Sequence, residues 1–359
     1  MPLSDRAQAI EPTLIREFRS KARPESLDLG IGQPDLCVPE PVRRAAIDAV
    51  DGGRAPYSDN LGLPSTRRAV AEHCGVDPDQ TMITCGVQEG LAVAVLGLVE
   101  PGDEVLVPDP GFPAYPNLVR AAGATPVPYT LAPDDGFALQ YDEVAEQLSG
   151  RTSAIVLNSP SNPTGTVVEA ENLRRVVELL ADHDVRWISD EIYSDYLYEG
   201  AEHVSPADFE QAPPGVRLSA LSKSMHVMGW RIGWLVGPSE WVAELKPLHQ
   251  HLVTCAPTPA QHAAVAALEN FQELFAPTLS TFEARRDLAV RRAGELPGVE
   301  PVRPEGAFYL FLDVRAYTRH TGSSLELAEA ILRDVDVVVV PGSGFGTGGE
   351  GFLRVAYTV

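Results

Sequence analysis

Lysine is scarce in this chain. Lys21, Lys223 and Lys246 are the only three in 359 residues, so chemistry that needs a lysine amine has few places to reside. Cysteine is nearly as rare: Cys37, Cys74, Cys85 and Cys255 show no C-x-x-C spacing, which excludes a zinc ribbon and a disulfide framework and leaves free thiols as the expectation. Positive charge is in deficit, with 28 Lys and Arg against 50 Asp and Glu for a net charge of −22. So acidic a surface repels nucleic acid and anionic membranes, and neither is expected as a partner. Keeping the protein soluble is the ordinary use of such a charge. No stretch approaches the roughly eighteen uninterrupted apolar residues of a membrane span. The opening MPLSDRAQAIEPTLIREF lacks a basic run followed by an apolar one, so a cytoplasmic protein is expected. Low-complexity linkers and internal repeats are also lacking.

What is present is an ordinary globular composition, long enough for one large domain with a smaller partner. Between residues 81 and 236, short β-branched apolar runs alternate with longer helical stretches, the pattern of an α/β layer fold. Strands are predicted at 81–85, 104–108, 125–129, 154–158, 186–190, 217–221 and 232–236. Helices are predicted at 89–98 and 171–183, the latter from Leu173, Val176, Val177 and Leu180 at helical spacing. After Pro257 come long helical stretches to Leu296, then strands at 307–314, 335–340 and the final FLRVAYTV, which reads as a smaller α+β domain. An extended stretch at 27–33 is placed against it. The resulting division is a large domain over 46–265, a small domain over 266–359, and an N-terminal segment 1–45 that contributes to the small one.

Of the lysines, Lys223 has the telling context. It closes the run R-L-S-A-L-S-K directly after a predicted strand, where a βα turn brings side chains to the ligand-binding edge of a sheet. Eight residues on, Arg231 stands in G-W-R-I-G ahead of the next strand. A lysine amine is nucleophilic only when unprotonated, and burial beside a second cation lowers its pKa. The arginine fork suits a phosphate. Either residue alone would read as a surface lysine or a salt-bridged arginine; the spacing of the two changes the balance.

These motifs resemble the class I/II aminotransferases, the aspartate-aminotransferase-like group of fold-type-I pyridoxal-phosphate enzymes, over nearly the whole chain. The resemblance implies a seven-stranded, mostly parallel sheet in the large domain, and a pyridoxal 5′-phosphate cofactor held as a Schiff base on Lys223. Further motifs stand in the family's order. Asp190, in S-D-E-I-Y at a strand end, is implied to pair with the protonated pyridine nitrogen and keep the ring an electron sink. Asn162, in N-P-T-G, and Tyr193 are implied to donate to the phenolate oxygen. Gly86, Val87 and Gln88 join a strand to a helix, so their amides form a phosphate cradle. Ser222 and Arg231 complete it, and Tyr57 reaches in from a second subunit. Phe112 takes the place of the aromatic that stacks on the ring, and Tyr115 is implied to support Asp190. Near the C-terminus, Arg354 in F-L-R-V matches the arginine that binds the substrate α-carboxylate. Gly32 and Asn162 line that carboxylate site. The partners implied are an amino acid and a 2-oxo acid, in a homodimer with shared sites.

Two departures stand out. Ala220 occupies a place where Gly or Ser is usual, so one phosphate hydrogen bond is either missing or supplied by Ser222 or Ser219. The sequence ends five residues after Arg354, where relatives continue into a helix, so closure of the small domain is expected to differ. Gly344, Gly346 and Gly349 satisfy G-x-G-x-x-G, but no βαβ unit can follow, and a flexible loop over the active site is expected instead. His249 and His251 have no third metal ligand in view and read as ordinary histidines.

Lys223 as the covalent anchor leads to a reading of ping-pong amino transfer, with elimination, cyclisation or oxidation on the same cofactor as the alternative. A non-catalytic ligand sensor is a third reading, opposed by the presence of Lys223, Asp190 and Arg354. Glu202-His-Val-Ser-Pro206, followed by L-S-K-S and G-W-R-I-G-W-L-V-G-P, looks most like the arginine–pyruvate transaminases. That resemblance leans the donor toward arginine or another guanidino amino acid, with Glu11 and Glu17 as guanidinium partners.

Overall fold

Gly, Pro and Asn punctuate the chain between β-branched runs, and the strands form where those runs lie. The computed structural model describes residues 3–359. Strand β1 (Leu27–Asp28) is followed by β2 (Thr81–Thr84), β3 (Glu104–Asp109), β4 (Thr125–Thr130), β5 (Thr152–Asn158), β6 (Arg186–Asp190), β7 (Gly215–Ala220) and β8 (Gly233–Val236). The last seven make one sheet in the order β2-β8-β7-β6-β5-β3-β4. Every neighbouring pair is parallel except the two that include β8, which runs against both β2 and β7. The class is therefore α/β with a mostly parallel seven-stranded sheet. Strands β2, β3 and β5 are buried along nearly their full length, as continuous apolar runs covered on both faces require.

The reversal of β8 matters for the site. In a parallel sheet, ligands gather where strands end at the carboxyl edge. Because β8 is antiparallel, it begins at that edge, and so Arg231, just ahead of it, packs on Gly86 after β2 and lines one cavity with Lys223 after β7 and Asp190 at the end of β6.

The remaining strands are β9 (Glu300–Pro301), β10 (Tyr309–Asp313), β11 (Val337–Val338), β12 (Val340–Pro341) and β13 (Phe352–Ala356). A four-stranded sheet runs β12-β13-β10-β9, while β1 pairs with β11 in parallel. The N-terminal stretch at 27–33 thus packs against the C-terminal elements. The single strand expected at 335–340 divides in two. Helix Ser324–Val335 runs to its start, and Asp336 turns the chain at φ 58°, its carboxylate meeting Ser26 and Arg23. Val337 then pairs with Leu27, whereas Val340 pairs with Arg354 in the other sheet. No helix among the described residues is long and apolar enough to cross a membrane.

Candidate active site

A cavity of about 820 Å³ opens at the carboxyl edge of the large sheet, between it and the β10–β13 strands. Its walls include Lys223, Ser222, Asp190, Tyr193, Asn162, Arg231, Arg354, Gly32, Val87, Gln88 and Phe112. Residues far apart in sequence converge there because each sits on a turn that leaves the same edge.

Lys223 Nζ donates to the Gly32 carbonyl at 2.6 Å. Burial, with Arg354 and Arg231 nearby, pushes the amine down to about 8. The expected amine–cation arrangement is present, and Arg354 outweighs Arg231 in it. Asp190 is buried at the strand end, accepting from Tyr115 Oη at 2.9 Å and from the Ile192 amide at 3.2 Å. Burial lifts its carboxyl to about 6 against the pull of those two donors. Tyr115 therefore supports Asp190, and its ring packs edge-on against Phe112 at 5.7 Å.

Gly86 caps helix Val87–Leu98 with φ 76° and ψ 172°, a conformation open to glycine alone. A Cβ there would lie 2.5 Å from Arg231 Nη2, so backbone and guanidinium are packed face to face. Arg231 itself adopts φ 56° and donates to the carbonyls of Met228 and Cys85 at 2.9 and 3.0 Å. The helix start adds its unpaired amides and positive end to this corner. Ser222 faces the cavity, whereas Ser219 Oγ is turned to the Glu191 carbonyl at 3.4 Å, so of the two substitutes for Ala220 only Ser222 is placed to serve.

Arg354 is 1% exposed. Its Nη1 donates to Asn162 Oδ1 at 2.8 Å and its Nη2 to the Gly30 carbonyl, while Nε is buried without a partner among the described residues. The guanidinium stacks over Tyr309 and Phe345, 4.4 and 4.8 Å from the ring centres. Tyr309 escaped the sequence reading, yet its hydroxyl shares a 2.7 Å hydrogen bond with Tyr193 and occupies the space a Cβ on Gly32 would need. Its only signal was an aromatic within a small-domain strand. Asn158, which accepts from the Asn162 amide at 2.9 Å and donates to the Asp190 carbonyl, was legible as the strand-end residue before N-P-T-G.

Tyr57 lies outside the cavity of its own chain and is 84% exposed, which leaves it open to a second subunit. Other expectations are corrected. Glu17 does not face the cavity: helix Leu14–Lys21 turns Ile15 and Arg16 inward and leaves Glu17 to pair with Lys21 at 2.8 Å, four residues on. Glu11 stands at the rim. The glycine loop does not cover the Lys223 cavity either. It lines an adjoining cavity of about 790 Å³, and Asp109 holds it by accepting from Thr347 Oγ1 at 2.7 Å and the Gly348 amide at 2.9 Å. His249 lies in helix Ser239–Val253 and is fully buried against Glu89. No cluster of three metal-ligating side chains occurs among the described residues.

The donor set fits pyridoxal phosphate. It offers a glycine-walled anion corner with a facing arginine, a buried carboxylate for a ring nitrogen, a buried lysine amine, and an arginine with a free buried nitrogen for a second anion.

Comparison with known proteins agrees. The family model described as aminotransferase class I and II matches residues 24–359. A probable aspartate/prephenate aminotransferase of Aquifex aeolicus is 35% identical, over 99% of this chain and 94% of its own. The arginine–pyruvate transaminase AruH of Pseudomonas aeruginosa is 36% identical, over 94% of this chain and 88% of its own. The structure of Thermus thermophilus aspartate aminotransferase with maleate superposes with a TM-score of 0.92 at 33% identity, covering 100% of this chain and 96% of that one.

Proposed function

The chain belongs to the class I and II aminotransferases and is a pyridoxal-phosphate-dependent enzyme moving amino groups between amino acids and 2-oxo acids, and from that premise we propose that its preferred substrates carry an acidic side chain. The observation that carries this is Arg16. It lines the cavity that holds Lys223 and Arg354, and it makes no ion pair among the described residues. Lys223, Arg231 and Asp190 are taken up by the cofactor in this reading, and Arg354 by the α-carboxylate. Among the described residues that line the cavity, Arg16 is then the one cation left for a distal carboxylate. Maleate, the diacid in the Thermus structure, is a ligand of that chemistry.

Pyridoxal phosphate supplies an electron sink for the bond broken at the substrate Cα. The chain's own groups do the rest. Asp190 would hold the positive charge of the ring nitrogen, Gly86–Gln88 with Ser222 and Arg231 would hold the phosphate, and Asn162 and Tyr193 would donate to the phenolate. Arg354 would orient the substrate α-carboxylate, and the amine of Lys223 would carry the Cα proton.

A second reading keeps the guanidino donor. Glu11 at the rim favours it, as does the likeness to the arginine–pyruvate transaminase. The like charge of Arg16 on the same wall opposes it. Donor profiling decides: glutamate and aspartate are expected to give the highest kcat/KM, with Arg16→Ala cutting those alone by roughly ten-fold or more. A preference for arginine that Arg16→Ala leaves unchanged overturns the reading. We further propose a homodimer in which Tyr57 completes the partner's phosphate site. We also assign helix Thr258–Glu269, across which the division at residue 265 falls, to the large domain; its packing on helices Glu40–Asp51 and Pro64–Cys74 supports this.

A further inference from the structure

Behind the phosphate corner lies a hydrogen-bonded Glu89–His249 pair that the reaction itself does not use. Glu89 stands in the first turn of helix Val87–Leu98, where an acid suits the helix dipole. Its Oε2 reaches back to accept from the Cys85 amide at 3.1 Å. Its Oε1 accepts from His249 Nδ1 at 3.0 Å, across from helix Ser239–Val253. The His249 side chain is 0% exposed, and its Nε2 has no partner among the described residues, so the ring is committed to this one contact.

The other side of Cys85 is held as well, because its carbonyl accepts from Arg231 Nη2. One residue is therefore clamped at both backbone groups, by Glu89 at its N–H and by Arg231 at its C=O. The next residue is Gly86, whose strained conformation opens the cradle. A carboxylate so near a phosphate site works against anion binding unless it contributes something else, and a hydrogen-bonded carboxylate that fixes a backbone amide does.

We propose that Glu89, held in place by His249, is a positioning residue for the cofactor: it fixes the Thr84–Cys85 peptide, next to the Cys85–Gly86 peptide that Arg231 holds, so that the helix-start amides and Arg231 converge on one phosphate. The inference rests on the reading of that corner as the phosphate site. His249 acts only through Glu89.

The test uses the holoenzyme and follows loss of the visible absorbance of bound cofactor after dilution into excess trapping protein. Binding of inorganic phosphate to the cofactor-stripped protein and the melting temperature of that stripped protein are measured alongside. Glu89→Ala is expected to speed cofactor loss by about ten-fold and to weaken inorganic phosphate comparably, reflecting a lost charge-assisted hydrogen bond. Glu89→Gln keeps an acceptor for the Cys85 amide, the His249 ring taking the tautomer that accepts from the new NH₂, and is expected to stay within about two-fold of the parent. His249→Ala should fall between them. If Glu89→Ala does not fold, His249→Ala and Glu89→Gln still decide the matter. Cofactor loss unchanged in His249→Ala, or equally fast in Glu89→Gln and Glu89→Ala, overturns the proposal, as does a lower melting temperature with unchanged phosphate binding. Arg231→Ala separates the two levels. If it fails to loosen the cofactor, the phosphate reading itself is wrong; if it loosens the cofactor and the Glu89 variants do not, only the positioning role is.

Discussion

Arg354 Nη1 donates to Asn162 Oδ1 at 2.8 Å, joining β13 to the turn after β5 across 192 positions of sequence. Both side chains are buried. The contact explains why an arginine near the C-terminus and an asparagine of the large sheet act as one unit: the asparagine aims the fork.

From it follows a split in kinetic constants. A lysine at 354 keeps the charge but not the planar pair of donors, and a carboxylate is gripped alike in ground and transition states. Arg354→Lys is therefore expected to raise KM for every amino donor by roughly 10–100-fold, with kcat changing less. Asn162→Ala should raise KM in the same sense and slow turnover too, because it also removes a group that lines the Lys223 cavity. Steady-state kinetics with two donors of different side chain check both.

The amine of Lys223 titrates low, at about 8, because it is buried and close to Arg354 and Arg231. In cofactor-stripped protein, acylation of Lys223 by an amine-reactive reagent is expected to rise with pH around a midpoint near 8. Peptide mass spectrometry resolves it readily, since the chain has only three lysines. The stability consequence has a definite sign. A depressed lysine pKa means that the unfolded chain binds more protons above pH 8, so this group's contribution favours the fold increasingly as pH rises from about 8 toward the ordinary value of 10.5. Arg354→Ala removes the stronger of the two neighbouring charges and should move the labelling midpoint up.

Much of this was legible in the sequence because turn chemistry and strand ends are local. Asn162, Asp190 and Lys223 each follow a short apolar run, and the run alone places them at the sheet's edge. The seven strands were found within one or two residues of their bounds for the same reason. What escaped depends on packing between distant segments. Tyr309 reaches Tyr193 only because β10 lies over the sheet, and His249 meets Glu89 only because two helices cross; no spacing records either. The glycine loop misled because three glycines signal freedom in a sequence, while Asp109, far upstream, removes it.

Tyr57 offers a test of shared sites. The segment around it is fixed, with the Pro56 carbonyl accepting from Thr258 Oγ1 at 2.7 Å and Asn60 donating to Thr254 at 2.7 Å, yet the tyrosine projects into solvent. If it completes a partner's cradle, Tyr57→Ala and Lys223→Ala are each impaired as homodimers. Mixed dimers then regain one site with both residues intact, so about half the parental activity is expected per hybrid. Co-expression with two affinity tags, followed by assay of the doubly tagged fraction, measures this. No recovery in the hybrid would place Tyr57 outside the site.

Gly86 and Gly53 share a positive φ, 76° and 67°, but differ in surroundings. Around Gly53 a Cβ meets nothing within 4 Å, whereas at Gly86 it runs into Arg231 Nη2 at 2.5 Å. An alanine at 53 thus reports backbone strain alone. An alanine at 86 adds displacement of the guanidinium, in a backbone region that side chains essentially never adopt. Gly53→Ala is expected to cost about 1–2 kcal/mol of stability with no change in cofactor affinity. Gly86→Ala is expected to cost about 1–3 kcal/mol and to weaken cofactor binding by at least ten-fold as well. Thermal unfolding of the stripped proteins gives the first quantity and cofactor titration the second. Equal cofactor affinities in the two variants would mean that the close packing of Gly86 on Arg231 serves the fold and not the phosphate.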